Sequence, residues 1–135
     1  MNRKHVNILL PKAKKALEEN DIGIVNENGE LSGKYRTHIS TFNANVLQIG
    51  LKQTIKLFSS DDDCDIERYK LLGLIYYCLK GEKHTQPLDI QTNLYQYIDD
   101  IKDEYIAKTN ILEVAVALKN AMNNFCLIER ETKNE

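Results

Sequence analysis

The sequence predicts an all-α chain, a single compact domain of five or six helices, orthogonal or loosely bundled. Three observations carry this. Apolar residues recur at helical spacing along most of the chain, strand-type alternation is nearly absent, and the stripes are separated by short clusters of turn residues. The chain, 1–135, suits one domain, since domains typically run ~100–150 residues. A composition of 42% hydrophobic and 28% charged residues supplies enough apolar material for a core.

The first stripe is Val6, Leu9, Leu10, Ala13 and Leu17. Pro11 is tolerated in a first helical turn, so the helix is expected to start between Asn7 and Pro11 and to end by Asn20. Residues 21–33 form a connector, in which Asn28-Gly29 could turn a small hairpin among Ile22, Ile24, Val25 and Leu31. The second stripe, Tyr35, Ile39, Phe42, Val46 and Ile49, is the most regular. After Gly50 the apolar face shifts to Leu51, Ile55 and Phe58, in line with Leu47, so Gly50 marks a kink or a close helix crossing.

An acidic loop, 59–65, leads into a segment from Tyr69 to Leu79 that is apolar almost all round, as expected of a central buried helix. Gly81 stops it. Pro87 fits a first helical position, and Leu94, Ile98, Ile101 and Tyr105 form the fourth stripe. Asn110 with Glu113 reads as a capping box for the last helix, whose core face is Ile111, Val114, Leu118, Met122 and Phe125. The charged tail, 129–135, is expected to fray.

The residues offer no catalytic constellation, and the chain is expected to be no enzyme. Asp61, Asp63 and Asp65 match positions 1, 3 and 5 of a calcium loop, but Ile66 and Leu72 stand where glycine and glutamate are required. Helix-capping acids are the better account. His5, His38 and His84 have no ligand spacing, so neither a metal nor another cofactor is expected. The acids Asp99-Asp100 and Asp103-Glu104 read as one solvated helix face. Cys64, Cys78 and Cys126 are too few and scattered for a disulfide framework or a zinc site. Cys78 and Cys126 sit among apolar residues, where buried free thiols are expected. No apolar run approaches the ~20 residues of a membrane span, and Ile8-Leu9-Leu10 is too short for a signal peptide. A cytoplasmic protein with no membrane partner and no small-molecule substrate is the expectation.

Charge distribution is more informative than the net charge of −2. No acidic residue occurs from Leu31 to Ser60. On one ideal helix Lys34, His38, Thr41, Asn45, Lys52 and Lys56 would project within ~60° of one another, in a row ~33 Å long. Arg36 falls on the other flank of the stripe. Cations and neutral hydrogen-bonding groups without acids suit a sugar-phosphate backbone, as weighed against an ordinary solvated face. The first helix adds Arg3, Lys4, Lys12, Lys14 and Lys15 before any acid appears.

The stretch Tyr35-Arg36 through Val46-Leu47-Gln48-Ile49-Gly50-Leu51-Lys52-Gln53-Thr54-Ile55, ending in Phe58, resembles the small-subunit family of type III-B CRISPR (Cmr) effector complexes. Thr109 ahead of a helix carrying Leu118-Lys119 also fits, and the similarity runs over about residues 7–128. Ala117 departs from a tryptophan common before the Leu-Lys pair, and Thr54 from the family's small alanines. The resemblance implies a non-enzymatic helical subunit that stacks in several copies beside a filament holding guide RNA. Its partners would be the other Cmr subunits, copies of itself, and guide RNA–target RNA met through phosphates. Lys34, Arg36, Lys52 and Lys56 are then the expected RNA-binding residues, with Lys119 added by the family pattern. The alternatives are a helical scaffold that binds only protein, and a helix-turn-helix DNA-binding regulator.

Overall fold

The computed structural model describes residues 2–19, 21–60 and 67–128. Of the expected acidic loop, 59–65, Ser59 and Ser60 are instead helical, and the rest, like the tail from Glu129, lies outside the described residues. Six helices follow in order: α1 (Arg3–Glu18), α2 (Gly33–Ile49), α3 (Leu51–Ser60), α4 (Tyr69–Lys80), α5 (Pro87–Ile101) and α6 (Glu104–Met122). Helices hold 74% of the described residues, and the remaining regular structure is a pair of two-residue strands, β1 (Glu30–Leu31) and β2 (Cys126–Leu127). The fold is all-α.

Helix α1 begins earlier than its proline suggests. Asn2 caps it, its Oδ1 accepting from the Lys4 amide at 2.9 Å and the His5 amide at 3.4 Å. Pro11 consequently lies in the helix interior. Its missing N–H withdraws the helical partner of the Asn7 carbonyl, but Asn7 and Pro11 are both exposed, so water can take the vacant acceptor. The buried side of α1 is Val6, Ala13, Ala16 and Leu17.

The Asn28-Gly29 turn forms, yet the hairpin does not. Asn26 Oδ1 accepts from the amides of Asn28 and Glu30, both at 2.9 Å, and Gly29 takes φ 73°. This local turn presents Leu31 to a stretch far along the chain. Glu30 and Leu31 pair in parallel with Cys126 and Leu127, and the Ile128 amide donates to the Leu31 carbonyl at 3.1 Å. Cys126 sits exposed on this short strand, whereas Cys78 is buried in α4. The expectation that both thiols are buried is thus corrected for Cys126, which lies where the chain has left the core.

Gly50 separates two helices instead of kinking one. It has φ 94° and ψ 162°, donates to the Val46 carbonyl at 3.0 Å, and accepts at its own carbonyl from the Thr54 amide and hydroxyl. Thr54 is fully buried, and this hydroxyl bond satisfies it. Helix α3 folds back along α2, so that Phe58 meets Phe42 edge-to-face at 5.3 Å between ring centroids. Tyr35, Ile39, Phe42 and Val46 face the core as their spacing predicts. Leu47 and Ile49, expected in the apolar faces, are instead 72% and 49% exposed, both in the last turn of α2 just before the chain turns at Gly50.

Residues Leu71 to Cys78 of α4 are all buried, which places that helix at the centre. Gly81 ends it in the left-handed conformation, φ 72°. Pro87 opens α5, whose core residues are Ile90, Leu94 and Ile98. The fourth stripe stops at Ile101, because Lys102 adopts φ 62° and breaks the helix. Tyr105 lies in the first turn of the next helix and is 72% exposed. That helix, α6, is capped by Asp103, whose side chain accepts from the Ile106 amide at 3.1 Å. The capping box at Asn110 is not used: Asn110 lies inside α6 and donates to the Tyr97 hydroxyl at 3.0 Å. Asp103 is hence a cap, not part of one solvated face with Asp99 and Asp100 on α5.

Helix α6 shares the centre with α4. It packs against α1, α2, α4 and α5, and its buried alanines 107, 115, 117 and 121 let those helices come close. Glu113 is its one buried charge, paired with His5 of α1 at 3.3 Å.

Candidate nucleic-acid interface

The five RNA-binding residues expected from sequence fall in two places. Lys34 is half-buried in the first turn of α2, where its amide donates to the capping Ser32 hydroxyl at 3.2 Å. Arg36, also half-buried, reaches α6: its Nη2 donates to Asn123 Oδ1 at 2.7 Å. Asn123 lies one helical turn beyond Lys119, which is exposed in the last turn of α6. The fold thereby brings Arg36 beside the end of the helix that carries Lys119, although 83 residues separate them in the sequence (119 − 36).

Lys52 and Lys56 lie elsewhere, on the outer face of α3. The reversal at Gly50 abolishes the single ~33 Å row drawn on one ideal helix, since α3 runs back alongside α2. Lys52 is also engaged. Its ammonium lies 3.0 Å from Asp99 Oδ1 on α5 and 5.8 Å from the centre of the Tyr95 ring, and the Tyr95 hydroxyl donates to the Lys52 carbonyl at 3.1 Å. Both members of the ion pair are about half exposed, so the pair contributes ~0–1 kcal/mol and could exchange Asp99 for a phosphate with little loss. Lys56 is exposed. His38 stacks edge-on to Phe58 at 6.5 Å, turned toward the α2–α3 contact.

A cleft of about 360 Å³, lined by Arg3, Val6, Asn7, Val116 and Asn120, runs between the start of α1 and the last turns of α6. Arg3 thus stands close to the end of α6, the region that also holds Lys119 and the Arg36–Asn123 bond. No local pattern signals this meeting of three helix ends. The only sequence feature bearing on it is the charge run of the first helix, and that points here only once α1 is known to pack on α6.

Titration behaviour elsewhere follows from single contacts. The Lys83 ammonium, 2.8 Å from Glu19, holds that carboxyl below its usual value, with burial opposing and the Tyr77 hydroxyl assisting. Glu67 is lowered by hydrogen bonds from Lys70 and the Tyr69 hydroxyl. Burial pushes the Cys78 thiol up to about 12, so it is no nucleophile at neutral pH. The histidines are dispersed: His5 pairs with Glu113, His38 faces Phe58, and His84 lies edge-on to Tyr76 at 5.4 Å. Among the described residues no three His, Cys, Asp or Glu side chains gather as metal ligands. Among them, too, no helix is long and apolar enough to cross a membrane. Cationic side chains stand exposed on the outer faces of α1 and α3 and at the end of α6. Comparison with protein-family models, curated proteins and solved structures finds no match for this chain.

Proposed function

We propose that the chain is a non-catalytic, cytoplasmic small subunit of a type III-B CRISPR RNA-guided effector complex. Several copies stack and help to form the groove that holds target RNA. The observation that carries this reading is the segment from Tyr35 to Phe58. Its resemblance to the family rests on residues with definite structural work here: Tyr35 anchors α2 in the core, Gly50 turns the chain, and Phe58 locks α3 against Phe42. The same segment contains no acid, and its lysines lie on the outside. In this role Lys34, Arg36, Lys52, Lys56 and Lys119 meet RNA phosphates, which position a strand without reading its bases.

A protein-binding scaffold is favoured by a second observation. Leu47 and Tyr105, each 72% exposed, border a cleft of about 390 Å³ with Gly50, Leu51, Glu104 and Lys108. The two readings are compatible, because a stacking subunit needs a surface for its neighbours. The helix-turn-helix reading fares worse. A single glycine joins α2 to α3 in place of the usual three or four residues, and α3 packs against α5 as well as α2.

The test changes Lys34, Lys52 and Lys56 together to alanine and measures target-RNA capture by the reconstituted complex across a salt series. Every phosphate left unneutralised should flatten the slope of log affinity against log salt by roughly 0.7 per copy, with assembly preserved. Failure of the variant to assemble would make these lysines a protein interface. Unchanged slope and capture would leave them merely solvated.

A further inference from the structure

Helix α1 carries a stronger cationic surface than α2 and α3. Its exposed residues include Arg3, Lys4, Lys12, Lys14 and Lys15, and no acid occurs before Glu18. Among the described residues none of the five is in an ion pair; Lys15 acts on Glu19 only as the weakest influence on that carboxyl. Arg3 and Lys14, like Lys4 and Lys15, are 11 residues apart, a spacing that returns to within ~20° on an α-helix. The cations therefore form two ridges, each ~16 Å long and about 100° apart around the helix, with Lys12 beyond the second. The helix beneath is held firmly, with Val6, Ala13, Ala16 and Leu17 buried against the core.

We infer that the outward face of α1 is a second nucleic-acid surface that grips a sugar-phosphate backbone without regard to sequence. Three classes of partner can be compared on chemistry. A lipid bilayer would need the apolar side of α1, which is already occupied by α4 and α6. A protein interface has an apolar centre depleted of charge, whereas this face has five cations, one acid (Glu18) at its C-terminal end, and Ile8 as its one large exposed apolar side chain. A backbone-binding surface is more polar and far more positive than a protein interface, which is the character found. This surface belongs to the isolated chain and does not depend on membership of a CRISPR complex.

The test uses the full chain and a labelled single-stranded RNA, with binding followed by fluorescence anisotropy over a salt series. The comparison is between wild type, K4A/K12A/K14A/K15A, the same four positions changed to arginine, and K34A/K56A. The alanine variant should retain its circular dichroism and thermal midpoint, since all four side chains are exposed. Its salt slope should be shallower by roughly 0.7 for each phosphate no longer neutralised, up to about 2.8, and a scrambled RNA should behave identically. The arginine variant should keep the wild-type slope. K34A/K56A should weaken binding less than the α1 variant does, which separates this surface from the α2–α3 lysines. An unchanged slope in the alanine variant would overturn the inference. So would binding of a polyglutamate peptide of equal charge as tightly as RNA, which would assign the face to acidic protein.

Discussion

Lys83 Nζ lies 2.8 Å from Glu19 and 3.8 Å from Asp21, tying the end of α1 to the link between α4 and α5. The hydrogen bond from Lys83 is the main cause that lowers Glu19 below its ordinary value of 4.5, and it raises Lys83 in return. A depressed carboxyl contributes stability that is present above about pH 4.5 and is lost as pH falls through the lower folded value. Glu19→Gln should therefore lower the thermal midpoint at neutral pH, and the gap to wild type should close in acid. An equal gap at pH 3 and pH 7 would show that the ion pair is not its source. Individual residues are legible in sequence where their chemistry is local, as at Gly81 and Pro87. They are not legible where the partner is remote: nothing near Lys52 announces Asp99, and nothing near Arg36 announces Asn123.

At the scale of elements, periodicity identifies the core faces of α2 as far as Val46, of α6 as far as Met122, and of α4 over nearly its whole circumference. Ile49 is exposed, and Phe125, expected on the last stripe, lies half-buried beyond the end of α6. The junctions are harder. Lys102 ends α5 at positive φ without glycine or proline to mark it, so by spacing alone the stripe runs unbroken as far as Tyr105. Pro11 is a misleading start signal for α1, because the missing hydrogen bond is tolerable on an exposed face. At Gly50 the glycine signals a break, but periodicity carries no information on the direction taken afterwards. Its φ of 94° and ψ of 162° fall in a region open essentially to glycine alone. An added Cβ would meet nothing within 4 Å, so the penalty is backbone strain without a clash. Gly50→Ala should destabilise the protein by about 1–3 kcal/mol in chemical denaturation. A change below ~0.5 kcal/mol would mean that the α2–α3 reversal does not depend on this conformation.

For the whole molecule, two distant stretches meet through four strand residues, Glu30 and Leu31 with Cys126 and Leu127, too short a pairing for any alternation to reveal. That pairing, and the packing of α1 along α6, decide which cations share a surface. A net charge of −2 conceals a helix with no acid over most of its length. The charge run of α1 is visible in the sequence, but its weight becomes clear only with its five cations exposed and outside ion pairs among the described residues. Under the proposed function, the cationic faces of the helical frame would hold RNA, and the exposed apolar corner at Leu47 and Tyr105 would meet a neighbouring copy. The most direct test of this account is native mass spectrometry of particles purified through a tag on this chain from its own host. The account predicts a ribonucleoprotein containing several copies of the chain and an RNA of guide length. A particle free of RNA, or a chain recovered only as a monomer, would contradict it.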